Sequence, residues 1–228
     1  MNNIKVIAFD ADDTLWINET YFRNAENEFA KLLSGYETEN KIHQELYKKE
    51  IENLAIYGYG IKGFVLSMIE CALELSNYKI NQKTIDRILT IGKEMLAQPI
   101  DLLDGVEEVL QKLQGNYKLI VATKGDLLDQ EKKLEKSGIL KYFHHTEVMS
   151  DKKESDYLKL IKHLDVHPSE FLMIGNSLKS DVLPLIEIGA SAIHIPFHTT
   201  WAHEEVSECQ KSEAYSTASK ITDILNLL

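Results

Sequence analysis

Short apolar runs alternate with amphipathic stretches in two parts of the chain, residues 4–10 and roughly 101–195. Runs as short as these are typical of buried strands, whereas buried helices are longer. Strands that alternate with helices predict a parallel sheet with helices on both faces. The runs that predict strands are 4–10, 118–123, 171–175 and 192–195, and the helical patterns between them are 126–137 and 179–188.

Residues 18–97 contain no strand-like run and have the periodicity of several amphipathic helices. Apolar residues at helical spacing define one face in each of two of these helices. The two faces are Phe22, Ala25, Phe29 and Leu32, and Phe64, Met68, Ile69 and Ala72. Residues 98–101 contain a proline and predict the return linker, so the pattern indicates a helical insertion after the first strand.

The last stretch of the chain, residues 216–228, predicts a closing helix. Ser216 or Thr217 would cap its start, and apolar side chains share one face. These apolar residues are Ile221, Ile224, Leu225 and Leu228.

Composition indicates the compartment in which the protein works. No apolar run in the 228 residues approaches the length of about 18 that a membrane span needs. The first residues enter the first strand at once and leave no room for a signal peptide, so we expect a soluble, cytoplasmic protein. The two cysteines, Cys71 and Cys209, lack metal-ligand spacing, which fits a reducing compartment.

The net charge of −11 bears on which classes of molecule the protein can bind. Such a charge argues against binding to nucleic acid polymers or to anionic membranes, because both carry negative charge themselves. An anionic substrate would therefore need a local cluster of positive charge.

Three carboxylates follow the first apolar run within four residues, in the stretch VIAFDADDTLW. Asp10, Asp12 and Asp13 would repel one another at the end of a buried strand. Either a cation binds there, or a proton is shared, or the acids point into water. For Asp13 alone, a role in a turn or a helix cap is the preferred interpretation.

Other strand ends bring further polar residues to the same edge of the predicted sheet, because ligands bind at the carboxyl ends of parallel strands. The second run ends in Thr123-Lys124-Gly125-Asp126 and the run 171–175 leads into Gly175-Asn176-Ser177-Leu178-Lys179-Ser180-Asp181. Between them, Lys152 and Lys153 precede a helical stretch. Carboxylates, a hydroxyl and an ammonium at one edge suit phosphoryl transfer.

Together these motifs resemble the four ordered motifs of the haloacid dehalogenase superfamily. The residues that carry the resemblance are Asp10-Ala11-Asp12-Asp13-Thr14, Thr123, Lys152 and the stretch 175–181. The segment 123–143 is similar to phosphatase-like members of this superfamily. The similar residues are Thr123-Lys124-Gly125-Asp126, Gln130, Lys133-Leu134-Glu135, Gly138 and Tyr142-Phe143. The resemblance implies a Rossmann-like, doubly wound α/β core in residues 1–15 and 101–228. It also implies that residues 16–100 are a helical cap domain that acts as a lid.

The resemblance assigns a catalytic role to each motif. Asp10 would be the nucleophile that becomes an aspartyl-phosphate. Asp12 would be the general acid and base, and Thr123 would hold the phosphoryl oxygens. Lys152 would neutralise the nucleophile and the phosphoryl group. Lys153, its neighbour, is the open alternative for the motif lysine.

The resemblance also implies a Mg²⁺ site. Its ligands would be the carboxylates of Asp10 and Asp181 and the backbone carbonyl of Asp12, with Asn176 acting through a bound water. Many relatives have Asp where Asn176 stands, so metal affinity is expected to be weaker here. Lys124 stands where relatives often have Asn, and its side chain would either add positive charge near the phosphate or lie in solvent.

Two further segments remain open at this stage. The stretch Tyr57–Gly63 is either a tight turn between helices or a loop that contacts the substrate. The segment 196–203 contains His198 and His203, whose spacing fits no zinc pattern, and Trp201 favours a packed surface loop that could border the site.

The function expected from these residues is hydrolysis of a small phosphate monoester. Carbon–halogen cleavage needs no acid for the leaving halide, so Asp12 counts against a 2-haloacid dehalogenase, which is the first alternative. A non-catalytic protein that binds a phosphorylated ligand is the second, motivated by Asn176 and Lys124. Residues 16–100 contain ten basic and twelve acidic residues, so we expect the cap to select a small phosphorylated metabolite by shape.

Overall fold

A computed structural model describes residues 3–206 and 214–228, and Cys209 lies outside these residues. The chain divides into two compact units. The first contains Met1–Glu19, Ile100–Lys124 and Gln130–Leu228, and the second contains Thr20–Pro99 and Gly125–Asp129. The short segment 125–129, which the sequence pattern assigns to the core, therefore belongs with the helical unit.

The described residues form six strands and eight α-helices. The strands are β1 Val6–Phe9, β2 Lys118–Lys124, β3 His145–Met149, β4 Phe171–Gly175, β5 Ser191–His194 and β6 Ser216–Thr217. The helices are α1 Glu19–Leu32, α2 Glu39–Tyr57, α3 Ile61–Leu75, α4 Gln82–Ala97, α5 Val106–Leu113, α6 Leu127–Lys136, α7 Glu154–His163 and α8 Leu183–Glu187.

The first unit is built on one parallel sheet with the strand order β3-β2-β1-β4-β5-β6. Strand β1 lies between β2 and β4, with Val6 opposite Lys118 on one side and Phe171 on the other. Its alternate side chains enter two apolar clusters, one packed with α5 and α6 and the other with α7 and α8. The predicted α/β class, with a doubly wound parallel sheet, is confirmed.

The helical unit has its own apolar core, built by α1 to α4. Every residue of the two predicted apolar faces belongs to this core or packs against it. Helices α3 and α4 approach closely at Gly92, where a Cβ atom would lie 2.3 Å from Val65. In the described part of the chain, no helix combines the length and apolarity needed to cross a bilayer.

A closing helix is present in residues 216–228, as predicted, but it is shorter than predicted and is not an α-helix. Ser216–Thr217 pair with β5 as the edge strand β6, and a 3-10 helix follows at Ile221–Asn226. Ile221 and Ile224 are buried three residues apart, a spacing that fits three residues per turn as well as it fits an α-helix. A segment this short also gains little from α-helical hydrogen bonding.

Two elements of the sheet unit were not anticipated. Strand β3 is polar at His145, Thr146 and Glu147, and only Met149 is buried, so it has no apolar run. The helix predicted for 179–188 begins as a π-helical turn at Leu178–Val182 before α8. Such turns occur often at functional sites.

Candidate active site

The site begins where β1 ends. The Asp10 amide donates to the Ile174 carbonyl at 2.9 Å and extends the pairing with β4. Three residues later, Asp13 has a left-handed backbone with φ of +61°, which turns the chain toward α1. The Asp13 carboxylate accepts hydrogen bonds from the amides of Asn18 at 2.9 Å and Glu19 at 3.0 Å. Asp13 therefore has a capping role at the start of α1, as its sequence position favours.

Lys152 lies between two carboxylates at the centre of the site. Its Nζ donates to Asp10 Oδ1 at 2.5 Å and to Asp181 Oδ1 at 2.6 Å. Lys152 is only 3% exposed, whereas the side chain of Lys153 is 69% exposed and pairs with Asp151. The structure thus brings Asp10, Lys152 and Asp181 together and leaves Lys153 at the surface.

The position of Asp181 depends on the π-helical turn and on a glycine. Ser177 N donates to Asp181 Oδ2 at 3.0 Å, which fixes the second carboxylate oxygen. A Cβ atom at Gly175 would lie 2.3 Å from that oxygen, so only glycine leaves room for the carboxylate. The buried hydroxyl of Tyr157 donates to the Ser180 carbonyl at 2.9 Å and ties α7 to the same turn.

Burial dominates the electrostatics of this cluster. Desolvation raises the pKa of Asp10 to about 7, against the lowering effect of Lys152 and with a further increase from Asp181. Burial alone would lower the pKa of Lys152, but the charges of Asp10 and Asp181 hold it well above its usual value. When both are ionised, two carboxylates facing one ammonium leave an excess of one negative charge, which favours either a proton on Asp10 or an additional cation.

Oxygen atoms converge beside this cluster at Asn176. With its amide nitrogen facing them, Asn176 donates to Asp10 Oδ2 at 3.2 Å and to the Asp12 carbonyl at 3.3 Å. Thr14 Oγ1 also lies 3.3 Å from Asp10 Oδ2. A carboxylate oxygen and a backbone carbonyl that face one point are hard donors of the kind that Mg²⁺ accepts.

Side chains alone do not form a complete metal cage here. No group of three or more His, Cys, Asp or Glu side chains is placed to hold a metal within residues 3–206 and 214–228. Mg²⁺ usually keeps several waters and needs only one or two carboxylates, so Asp10, Asp181 and the Asp12 carbonyl still fit it.

Three donors hold the carboxylate of Asp12. Oδ1 accepts from Trp16 Nε1 at 2.7 Å and from Lys133 Nζ at 3.0 Å, and Oδ2 accepts from Gln130 Nε2 at 2.8 Å. Gln130 and Lys133 lie on α6. The family resemblance includes both residues but implies no function for either. The regular spacing of helix α6 gives no signal that two of its polar residues face a carboxylate.

Thr123 is buried at the carboxyl end of β2, in the strand that pairs with β1. Its hydroxyl donates to the Lys124 carbonyl at 3.2 Å and lies 3.4 Å from Gln130 Nε2. Gln130 therefore connects the threonine of the second strand end with the acid of the first.

The side chain of Lys124 is 14% exposed, so it does not lie free in solvent, which was one of the two positions considered from the sequence. Its Nζ donates to Glu204 Oε1 at 2.6 Å and to Ser180 Oγ at 2.9 Å. Glu204 Oε2 also accepts from Ser177 Oγ and Ser180 Oγ. Glu204, which the sequence analysis missed, therefore joins the segment after β5 to the turn that carries Asp181.

The pKa of Glu204 is about 2, well below its usual value. Burial would raise this pKa, but the charge of Lys124 and the hydrogen bonds from Lys124, Ser177 and Ser180 outweigh burial. Because the folded state lowers the pKa, the carboxylate stabilises the fold above its unfolded pKa. This stabilisation is lost as the pH falls from about 4.5 toward 2.

The Glu204→Gln substitution should lower the free energy of unfolding at pH 7 by about 2 kcal/mol, because it removes the carboxylate that pairs with the Lys124 ammonium at 2.6 Å. The difference from the wild type should shrink as the pH falls below about 4.5. Urea denaturation at several pH values measures it. Glu205→Gln, at the exposed neighbouring position, is the matched control and should change stability by less than about 0.5 kcal/mol. Equal effects of the two substitutions would contradict the role of the Glu204 carboxylate.

The two segments left open by the sequence have defined structures. In the helical unit, residues 58–60 connect α2 to α3, and a Cβ atom at Gly63 would lie 2.8 Å from the Gly58 carbonyl. In the sheet unit, the rings of His198 and His203 pack against Phe197 and Trp201. These contacts fit a tight turn and a packed loop.

Comparisons with known proteins identify relatives of the whole chain. A family model described as haloacid dehalogenase-like hydrolase matches residues 4–189. N-acylneuraminate-9-phosphatase of Homo sapiens is 24% identical over 203 residues, which cover 84% of this chain and 82% of that protein. The same enzyme of Mus musculus matches equally well.

Solved structures agree with this family. The crystal structure of a haloacid dehalogenase-like family hydrolase from Xanthomonas campestris has a TM-score of 0.86 and 35% identity, and the match covers 97% of this chain and 92% of that one. A 2-haloacid dehalogenase from Pseudomonas syringae has a TM-score of 0.65 at 15% identity, covering 98% of this chain and 97% of that one. At so low an identity the likeness shows the fold alone.

Proposed function

Because the chain belongs to the haloacid dehalogenase-like hydrolase family, we propose that it hydrolyses a small phosphate monoester in a Mg²⁺-dependent reaction through an aspartyl-phosphate on Asp10. One observation carries the proposal: the Lys152 ammonium lies between the buried carboxylates of Asp10 and Asp181, beside Asp12. A buried nucleophile, a fixed cation and a nearby acid are the groups that phosphoryl transfer requires.

In the first half of the reaction, a carboxylate oxygen of Asp10 attacks phosphorus and the ester P–O bond breaks. The electron pair of that bond goes to the leaving oxygen, which takes a proton from Asp12. Lys152 stabilises the charge on Asp10 and on the phosphoryl group, and Thr123 donates to a phosphoryl oxygen.

In the second half, water attacks the phosphorus of the aspartyl-phosphate. Asp12, now a carboxylate, takes a proton from this water, and the bond between phosphorus and the Asp10 oxygen breaks. Inorganic phosphate leaves and both aspartates return to their starting states.

Mg²⁺ would supply a positive charge next to the phosphoryl oxygens when it is bound. The residues that would hold it are Asp10, Asp181, the Asp12 carbonyl and, through a water, Asn176. The convergence of Asp10 Oδ2 and the Asp12 carbonyl on one point supports this assignment.

The class of substrate rests on the relatives and on the position of the helical insertion in the sequence. The curated relatives act on a phosphorylated sugar acid by name, so phosphorylated sugars and sugar acids are the first candidates. The helical unit interrupts the chain between the strand that carries Asp10 and the strand that carries Thr123. We propose that it is a cap domain that selects the substrate, and that the protein acts in the cytoplasm.

The direct test is phosphate release by the purified chain from a panel of sugar phosphates, sugar-acid phosphates and nucleotides, with Mg²⁺ and with a chelator. The proposal expects phosphate release that the chelator removes and Mg²⁺ restores, at least about 100-fold above the chelated enzyme. Halide release from 2-haloacids, measured in parallel, should be absent, since the general acid at Asp12 indicates a site built for an oxygen leaving group.

Halide release without phosphate release would favour the dehalogenase alternative. Tight binding of a phosphorylated ligand without turnover, in folded protein supplied with Mg²⁺, would favour the non-catalytic alternative. Either result would overturn the proposed hydrolysis of a phosphate monoester.

A further inference from the structure

Three side chains donate hydrogen bonds to the carboxylate of Asp12, and its two oxygens accept different numbers of them. Resting on the proposed phosphatase reaction, we propose that Asp12 Oδ2 is the oxygen that transfers the proton, and that Trp16, Gln130 and Lys133 are the residues that position it. The three donors approach one carboxylate from two segments of the sheet unit.

The number of donors on each oxygen separates Oδ1 from Oδ2. A carboxylate oxygen has two lone pairs in the plane of the group. Oδ1 accepts two hydrogen bonds, from Trp16 at 2.7 Å and Lys133 at 3.0 Å, so both of its sites are used. Within the described residues Oδ2 accepts one, from Gln130 at 2.8 Å, which leaves one site for a proton.

The donors themselves have little freedom. Trp16 is fully buried and Gln130 is 3% exposed. Gln130 Nε2 also donates to the Lys124 carbonyl at 2.8 Å, which fixes its amide against the end of β2. The side chain of Lys133 is 12% exposed, and its Nζ also donates to Asn18 Oδ1 at 2.9 Å.

This arrangement would serve both halves of the reaction. When the ester bond breaks, the proton on Oδ2 passes to the leaving oxygen, and Asp12 becomes a carboxylate with all three donors in place. When water attacks, its proton returns to the same lone pair of Oδ2. Since the donors act on Asp12 and not on the substrate, they are positioning residues.

The position of the acid should matter most for esters with a poor leaving group. An alkoxide needs a proton as it departs, whereas a dinitrophenolate departs without one. The parameter kcat/KM reports the steps up to the departure of the leaving group and excludes the later attack of water. A loss of acid positioning should therefore lower kcat/KM selectively for alkyl phosphates.

The experiment compares kcat/KM for an alkyl phosphate and for 2,4-dinitrophenyl phosphate, with Mg²⁺, in the wild type and in Lys133→Met, Lys133→Arg and Gln130→Met. For Lys133→Met and Gln130→Met we expect a loss of about 10- to 100-fold with the alkyl ester, and less than about 3-fold with the dinitrophenyl ester. Lys133→Arg keeps a charged donor and should recover most of the alkyl activity. Lys132→Met, at an exposed position of the same helix, is the matched control and should behave as the wild type.

Equal losses for both esters, or no loss with the alkyl ester, would overturn the inference while leaving the proposed function intact. A crystal structure of Lys133→Met in which Asp12 keeps its conformation and the alkyl activity is unchanged would do the same. Absence of turnover of either ester by the wild type would overturn the proposed function, and this inference with it.

Discussion

The Asp10→Asn substitution is expected to reduce Mg²⁺-dependent phosphate release by at least about 10⁴-fold, because an amide cannot act as the nucleophile. The fold should survive, since asparagine keeps the shape of the side chain. The substitution also removes one of the two carboxylates that face a single lysine. Because burial has raised the pKa of Asp10 to about 7, the fold tolerates a neutral group at this position. Phosphate release and thermal unfolding, measured on the same preparation, test both parts.

Asp13→Asn is the matched control for Asp10→Asn. Asp13 lies in the same turn and is also buried, but its carboxylate accepts hydrogen bonds from backbone amides at the start of α1. Asparagine retains one acceptor oxygen, which can accept from both amides as Asp13 Oδ1 does, so activity should remain within about 3-fold and stability should change by less than about 1 kcal/mol. Full activity in Asp10→Asn would contradict the nucleophile assignment.

A covalent intermediate gives an independent readout. Rapid acid quenching of the wild type during turnover should yield a peptide containing Asp10 that is heavier by one phosphoryl group, and Asp10→Asn should not. A phosphoryl group found on another residue would identify a different nucleophile.

Much of the sheet unit could be predicted because its central strands are buried on both faces. Strand β1 lies between β2 and β4, so each of its side chains is apolar and the run is visible in the sequence. Strand β3 lies at the edge and has polar residues, so no run marks it. The type of the closing helix could not be predicted for a different reason, because the spacing of Ile221 and Ile224 suits both an α-helix and a 3-10 helix.

Topology predicted that the residues of the central triad lie at one edge of the sheet, whereas the family resemblance selected them among their neighbours. Asp10 and Asp181 each follow a parallel strand and Lys152 precedes a helix, so the geometry of the sheet brings all three to one edge. The partners of Asp12 and Lys124 were not predictable in this way. Gln130 and Lys133 lie on a helix, Glu204 lies in a loop, and no periodic pattern indicates which distant polar group each one meets.

The Lys152→Met substitution should have the largest combined effect on activity and stability. Methionine fills most of the volume of the lysine but leaves two buried carboxylates without their common partner. Breaking a buried ion pair in this way costs about 3–5 kcal/mol at neutral pH. Activity should fall by about 10³-fold or more, since the phosphoryl group also loses a fixed positive charge.

Urea denaturation and phosphate release measure the two effects of Lys152→Met. The stability difference should shrink on acidification, because Asp10 takes up a proton and the repulsion between the carboxylates falls. Lys153→Met, which removes an adjacent lysine whose side chain is exposed, should change stability by less than about 0.5 kcal/mol and leave activity unchanged.

The double variant Asp10→Asn with Lys152→Met measures the structural role of Lys152 through stability alone, because Asp10→Asn already removes the nucleophile. Asparagine at residue 10 removes one of the stranded charges, so the double variant should be more stable than Lys152→Met alone, with a coupling energy of about 1–3 kcal/mol. Its activity should stay lost. Additive effects on stability would mean that Lys152 and Asp10 do not interact as their 2.5 Å separation requires.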